Sequence, residues 1–157
     1  MLPETGLYHT CFTVPDLEAA KEDLGRAFGL TWTDSLDANL EVKGADGHQE
    51  PVALRFCYSL QGAPYIELVQ GPPGHPYFAA REGGHVHHVG LFVEDLEVAM
   101  GEYESQGMPM EFATLGPDGS IQGLSYHHNP YGASVELVSM ETRAMVQAMI
   151  RGAGGDA

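Results

Sequence analysis

The sequence predicts an α+β fold built from two tandem βαβββ modules, and three observations carry that prediction. The chain repeats itself, each repeat opens as a strand followed by a helix, and three strand-like runs follow each helix. Residues 6–20 read Gly-Leu-Tyr-His-Thr-Cys-Phe-Thr-Val-Pro-Asp-Leu-Glu-Ala-Ala, and residues 85–99 read His-Val-His-His-Val-Gly-Leu-Phe-Val-Glu-Asp-Leu-Glu-Val-Ala. A shift of 79 positions pairs His9 with His88, Val14 with Val93, and Asp16-Leu17-Glu18 with Asp95-Leu96-Glu97. Repetition at this length means that one supersecondary unit is used twice.

In chain order, Leu7–Val14 reads as a strand and Asp16 as the N-cap of the helix after it. Leu17, Ala20, Leu24, Ala27 and Phe28 recur at helical spacing, and Gly29 suits the stop. Strand-like runs follow over about Thr31–Asp37, Val52–Leu60 and Tyr65–Gln70. In the second copy Leu96, Ala99, Met100 and Tyr103 form the helical stripe, which Gly107 ends. Its strands are expected over about Met110–Leu115, Ile121–His128 and Ala133–Ser139. The whole of 1–157 is expected to form a single domain of modules 6–71 and 85–139. The linker 72–84 should carry one short helical turn near Tyr77–Arg81. A C-terminal helix is expected over 141–150, with Met145, Val146 and Met149 on its apolar side, then a frayed tail.

Strand alternation groups the side chains. Val52, Leu54, Phe56, Tyr58 and Leu60 form a uniformly apolar set, expected to lie under the helices. Ala53, Arg55, Cys57 and Ser59 form the smaller, more polar set, expected to line a cavity. Tyr65, Glu67 and Val69 share one face, opposite Ile66 and Leu68. His9 goes with Cys11 and Thr13, His88 with Gly90 and Phe92, and Glu136 with Ser134 and Val138. His87 and His88 point to opposite faces, so only one can be a ligand, and alignment of the copies selects His88. The matched strands Tyr65–Val69 and Tyr131–Val138 pair Glu67 with Glu136. Two imidazoles and two carboxylates make a ligand set for one divalent metal ion, with Zn, Ni, Co, Mn and Fe(II) all suited. A carboxylate inside an apolar run, twice over, asks for a partner, because an unpaired buried charge is costly.

Composition narrows the partners. Seven basic residues against 22 acidic ones leave a formal net charge of −15. Nucleic acid and anionic membrane both demand basic surface, so neither is an expected partner. A substrate with several phosphates is disfavoured for the same reason, and a neutral or cationic small molecule is easier to accommodate. No apolar run reaches the length of a membrane span. Met1-Leu2-Pro3-Glu4 has neither a basic stretch nor an apolar core, so no secretory leader is expected. Cys11 and Cys57 are therefore expected as free thiols in a cytoplasmic protein.

Four pieces of sequence, in order and suitably spaced over residues 6–139, resemble the vicinal oxygen chelate superfamily. They are His9 before Val14-Pro15-Asp16-Leu17, and Tyr65-Ile66-Glu67-Leu68-Val69. The others are His87-His88-Val89-Gly90 before Val93-Glu94-Asp95-Leu96, and Asn129-Pro130-Tyr131-Gly132 before Val135-Glu136-Leu137. That superfamily includes glyoxalase I, methylmalonyl-CoA epimerase, extradiol dioxygenases and bleomycin-resistance proteins. The resemblance implies a glyoxalase-like fold, with the modules' sheets curved into one mixed sheet around a metal-centred cleft. It implies His9, Glu67, His88 and Glu136 as metal ligands. The cleft can lie within one chain or be shared across a dimer, and a homodimer is expected.

The activity implied is that of a metal-dependent isomerase or lyase. Four protein ligands on a six-coordinate ion leave two positions for a substrate with neighbouring oxygens. The ion acts as a Lewis acid toward the enolate or enediolate formed when an adjacent C–H proton leaves. The base is a metal-ligand carboxylate, Glu136 or Glu67, by likeness to glyoxalases, or Glu50 by likeness to epimerases. Arg55, Tyr65 and His127 are candidate substrate contacts; for Arg55, neutralising Glu67 is an equal alternative, and for His127 a structural role. Arg81 to Gly90 looks most like methylmalonyl-CoA epimerase, whereas the scarcity of basic residues opposes a coenzyme A substrate. Two other activities compete: a drug-sequestering protein of the bleomycin-resistance type, suited to an acidic chain, and an Fe(II) dioxygenase, which a fourth protein ligand disfavours.

Overall fold

The computed structural model describes residues 6–82 and 86–155. Met1–Thr5, on which the leader reading rests, Gly83-Gly84-His85 of the linker, and the last two residues lie outside these. The elements run β1 (Gly6–Thr13), α1 (Leu17–Phe28), β2 (Leu36–Gly44), β3 (Gln49–Tyr58), β4 (Tyr65–Gln70), β5 (Val86–Phe92), α2 (Leu96–Ser105), β6 (Met110–Leu115), β7 (Ile121–His127), β8 (Ser134–Val138) and α3 (Met140–Gly152).

Each helix starts where a side chain satisfies its orphan amides. Asp16 accepts from the Ala19 amide at 2.9 Å, Asp95 from Val98 at 3.0 Å and Ser139 from Thr142 at 3.3 Å. Gly29 ends α1 in the left-handed region, with φ 69°, where a side chain would strain the backbone.

The strands close into a barrel in the order β1-β4-β3-β2-β6-β7-β8-β5, with β5 returning to β1. In each module the first strand runs parallel to the last, β1 with β4 and β5 with β8. The modules join at two antiparallel seams. The β1–β5 seam is long, whereas β2–β6 is short, formed by Val42, Lys43 and Gly44 against Thr114, Ala113 and Phe112. Closure leaves no free edge between the modules.

Three expectations are corrected here. The strand expected at Thr31–Asp37 is β2, displaced to Leu36–Gly44. Its alternation of Leu36, Ala38, Leu40 and Val42 with Asp37, Asn39, Glu41 and Lys43 is that of a half-buried strand. The linker's single helical turn lies at His75–Ala79 instead of Tyr77–Arg81: the Ala79 amide donates to the His75 carbonyl at 3.2 Å, the bond between residues four apart that closes one turn. The third correction reverses the faces of β3. Tyr58 lies opposite Glu67, Cys57 opposite Leu68 and Phe56 opposite Val69, and residues directly opposite share a face. Leu54, Phe56 and Tyr58 therefore point into the barrel, while Cys57 packs with Leu17 and Leu68 beneath α1. The barrel interior is mostly apolar, so it takes the apolar face, and α1 sits closely over the smaller residues.

Two interior clusters follow. One gathers Tyr8, Tyr58, Tyr65, Phe92 and Val138 with Val146 and Ile150 of α3. The other gathers Cys11, Val42, Val52, Leu54, Val69, Phe78, Phe112 and Tyr126. Val146 and Ile150 are almost wholly buried, and each such side chain contributes about 1.5–3 kcal/mol, so α3 is anchored across one mouth of the barrel. Among the described residues no helix is long and apolar enough to cross a membrane.

Candidate metal centre

The repeat places four side chains at one point through strand register alone. Along β1 and β5, His9 faces Gly90 and Cys11 faces His88. Along β1 and β4, Cys11 lies beside Glu67; along β5 and β8, Gly90 lies beside Glu136. Two inward-facing rows result, Glu67–Cys11–His88 and Glu136–Gly90–His9, related by the internal repeat. Each row takes its Glu from one module and its His from the other, within a single chain.

The four side chains meet between the two apolar clusters. His9 Nε2 and His88 Nε2 are 2.8 Å apart. Glu67 Oε2 lies 3.2 Å from His9 Nε2 and 3.3 Å from His88 Nε2. Glu136 Oε2 lies 3.4 and 3.5 Å from the same two nitrogens. Ligand atoms about 2.1 Å from a shared ion stand roughly 3.0–3.4 Å apart, so these separations suit one cation. A second observation agrees. Glu136 Oε2 is fully buried with no hydrogen-bond partner among the described residues, an expensive state for a carboxylate oxygen unless a cation completes it.

Burial and mutual charge set the protonation states. Burial pushes the Glu67 carboxyl up, but the fields and hydrogen bonds of His9 and His88 together outweigh it and hold Glu67 well below the usual carboxylate range. Glu136 behaves alike: burial raises it, and His88 and His9 bring it below its ordinary value. Burial lowers His88, yet Cys11 and Glu136 lift it well above the ordinary imidazole value. His9, His88 and Glu136 form one close donor group and Cys11, His87 and His88 another, but burial pushes the Cys11 thiol up to about 12. It therefore stays protonated at neutral pH, and the carboxylates are the better ligands.

Neighbouring groups fix how the ligands present themselves. The His87 ring donates from Nε2 to the Tyr77 carbonyl, and its Nδ1 lies 2.8 Å from His88 Nδ1. A carbonyl only accepts, so Nε2 of His87 carries a proton; burial lowers the ring's pKa to about 4, so Nδ1 is bare. His88 must then donate from Nδ1, which leaves its Nε2 directed at His9, Glu67 and Glu136. On the other side, the Tyr126 hydroxyl donates to Glu136 Oε1 at 2.5 Å and aims Oε2 inward.

A cavity of about 100 Å³ opens beside Glu67 and Glu136. Its walls are Tyr8, Leu54, Phe56, Tyr58, Phe78 and Tyr126 with Thr142, Met145 and Val146 of α3, among others, and none of the described lining residues is basic.

The other predicted site residues lie elsewhere. Arg55 faces outward and pairs with Glu18 and Asp37, each at 3.3 Å, because β3 presents that face to α1. Tyr65 is wholly buried in the core with Tyr8, Tyr58 and Phe92. His127 lies beneath α2, its ring 5.6 Å from Tyr103 and its Nδ1 2.9 Å from the Met108 carbonyl. Glu50 sits eight residues before Tyr58 on β3, on the order of 25 Å of strand. It lies 3.4 Å from His75 Nε2 and is not part of the cluster. Sequence reasoning passed over His87 as a positioning partner, and over Tyr126, Phe78 and Gly90. The repeat offered a signal only for Gly90, since it corresponds to Cys11 at the shift of 79 positions.

Comparisons with known proteins follow the same lines. The chain is similar to the crystal structure of methylmalonyl-CoA epimerase from Mycobacterium tuberculosis, at 21% identity and TM-score 0.58, over 88% of this chain and 92% of that one. It is similar to a Streptomyces coelicolor methylmalonyl-CoA epimerase variant in complex with 2-nitronate-propionyl-CoA, at 18% identity and TM-score 0.54, over 85% and 96%. A hypothetical protein from Bacillus halodurans C-125 is similar at 18% identity and TM-score 0.54, over 87% and 95%. At these identities the likeness is one of fold. No curated protein matches significantly in sequence. The model of the Glyoxalase/Bleomycin resistance protein/Dioxygenase superfamily matches residues 8–122, and the chain, with its paired βαβββ modules and its closed barrel, belongs to that superfamily.

Proposed function

We propose that the protein is a divalent-metal-dependent isomerase or lyase that removes a proton next to a carbonyl of a small oxygen-chelating substrate. The observation that carries the reading is the convergence of His9, Glu67, His88 and Glu136 onto one point from four strands. A bound ion would supply Lewis-acid stabilisation of the enolate or enediolate character that develops as the proton leaves. His9, Glu67, His88 and Glu136 would hold it.

The chain's own residues do the rest. Glu67 and Glu136 border the cavity, so either can take the proton from a substrate lodged there. Tyr126 fixes Glu136 through its second oxygen, which limits the directions in which that carboxylate can swing. Phe78 with Met145 and Val146 of α3 gives the cavity apolar walls, and low polarity there strengthens charge interactions inside it. Glu50 is not the base in this scheme, because it is too far down β3.

The cavity also bears on the competing activities. Drug-sized ligands occupy pockets of roughly 300–1,000 Å³. The space beside Glu67 and Glu136, about 100 Å³, is poorly suited to sequestering an antibiotic, and the pocket of drug-sized volume, about 640 Å³, is not lined by either carboxylate. The fourth protein ligand leaves little coordination room for a catechol and O₂ together.

Metal analysis of the purified protein, followed by ¹H-to-²H exchange in D₂O, tests the proposal. The substrates would be small 1,2- and 1,3-dioxygenated carbonyl compounds. One tightly held divalent ion per chain is expected, with exchange that disappears in Glu67→Gln and Glu136→Gln. An ion-free protein that binds a cationic drug would instead favour sequestration. Oxygen uptake with catechols would favour a dioxygenase.

A further inference from the structure

We infer that α3 acts as a size filter, restricting this site to substrates with a two-oxygen chelating end and a short, uncharged apolar tail. The inference rests on reading the four converging side chains as a metal site, and it names the substrate class of that site.

Three observations lead to it. First, the space beside Glu67 and Glu136 is small. At about 100 Å³ it falls well below the roughly 300–1,000 Å³ of pockets that take drug-sized ligands. A chelating end and a few carbons fill it.

Second, α3 and Phe78 both form part of the wall of that space. The helix α3 begins at its Ser139 cap, the residue immediately after β8, and so lies three residues from Glu136. Its Thr142, Met145 and Val146 form part of the cavity wall, and Val146 is 2% exposed. The helix is held down by Ile150, wholly buried among the same aromatic residues. It also falls outside residues 8–122, which carry the superfamily match. Phe78 is also 2% exposed. Its ring packs against Phe112 at 5.3 Å, His87 at 5.9 Å and Tyr126 at 6.1 Å. A larger pocket of about 640 Å³, lined by Tyr77, His87, Glu111, Phe112, His128 and Ser134 among others, borders this aromatic wall. Phe78 belongs to the wall of the small cavity and not of the large one.

Third, the walls carry no cation. Among the described residues the charged ones lining the small cavity are Glu67 and Glu136, and no Lys, Arg or His joins them. A phosphate or second carboxylate on the tail would lose its water with no counter-charge in return. A tail of a few apolar atoms meets only Leu, Phe, Tyr, Val and Met side chains.

Met145 is the residue to vary. It lines the cavity yet is 53% exposed, so truncating it enlarges the mouth without removing core. The probes are two bidentate oxygen chelators that differ in the tail alone, acetohydroxamate and benzohydroxamate. They would be titrated into Co(II)-loaded protein and followed by the visible d–d bands. Wild-type protein should bind acetohydroxamate at least about tenfold tighter, the discrimination expected when a pocket lacks room for extra carbons. Met145→Ala should erase about a tenfold share of that preference, and Met145→Leu should keep it. Val146→Ala, read in the same way, deepens the cavity rather than widening its mouth and should act in the same direction.

Equal binding of the two hydroxamates by wild-type protein would overturn the filter, as would an unchanged ratio in both alanine variants. These results differ from failure of the metal reading, in which Co(II) is not taken up at all. They differ too from failure of the proposed activity, in which Co(II) and acetohydroxamate bind selectively but no proton exchanges.

Discussion

Gly90 faces His9 across the antiparallel seam between the modules, and the His9 imidazole fills the space where a side chain on Gly90 would stand. A Cβ there would lie 1.9 Å from His9 Cε1 and 2.3 Å from its Nδ1. This glycine is needed for close approach, since only a residue without Cβ lets the ring lie flat against β5. Gly90→Ala should therefore displace His9 and weaken metal binding by about two orders of magnitude or more, beyond the 10–100-fold typical of lost supporting contacts. Overpacking should cost about 1–3 kcal/mol of stability. Circular dichroism and a Co(II) titration check this: a folded protein that no longer holds the ion is expected, and wild-type affinity would refute it.

Tyr126 gives a subtler outcome. Its hydroxyl donates to Glu136 Oε1 at 2.5 Å, while its ring stacks on Phe112 with centroids 4.1 Å apart. Tyr126→Phe keeps the ring and removes the donor. The lost charge-assisted bond is worth about 1.5–3 kcal/mol, and metal affinity should fall about 10–100-fold. Isothermal titration with Zn(II) reads the affinity, and a change below about threefold would mean that Tyr126 does not orient Glu136.

Metal uptake should also release a proton near neutral pH. The His88 pKa is lifted well above 6.5, so its favourable contribution to the metal-free fold is complete below the unfolded value and fades as pH rises through the folded one. Glu67 and Glu136 are held below 4.5, so theirs is complete above the unfolded value and fades as pH falls through the folded one. The metal-free protein is thus favoured from about pH 5 up to the raised His88 value. A cation must take the place of the His88 Nε2 proton, so binding should release about one proton per chain and strengthen with pH. Calorimetry in two buffers of different ionisation enthalpy measures the count. Zero release would contradict the shared site.

Much of the architecture could be read from the sequence because the repeat reports strand partners twice. His9 and His88, Glu67 and Glu136 emerged as a set since each pair occupies one place in the repeating unit. The β6, β7 and β8 strands were legible because Pro109, Gly116-Pro117 and Asn129-Pro130 punctuate them. β2 was misplaced because Asp37 and Asn39 are poor strand formers, and only their outward orientation makes them acceptable there. For β3, alternation gives two faces but not which of them turns inward, and the inward one is the apolar face. In a closed barrel the interior is the driest place, and its few polar groups are those that converge on one another. The His87 role depends on the Tyr77 carbonyl, ten residues away in the chain, and no periodicity encodes such a contact.

The orientation of β3 makes its own prediction. Arg55 lies on the α1 side, about half exposed, with its guanidinium 3.3 Å from both Glu18 and Asp37. Exposed ion pairs of this kind are screened by water and contribute about 0–1 kcal/mol. Arg55→Ala should therefore cost no more than about 1 kcal/mol in thermal stability, and less still at high salt. Zn(II) affinity and the acetohydroxamate preference of the Co(II)-loaded protein should not change, because no Arg55 atom lines the cavity. The comparison is Glu67→Gln, which keeps the shape of the side chain but removes a charge that both His9 and His88 face at 3.2–3.3 Å, and which should abolish metal uptake. A tenfold loss of chelator binding in Arg55→Ala would return that guanidinium to the substrate and reverse the assignment of the two faces of β3.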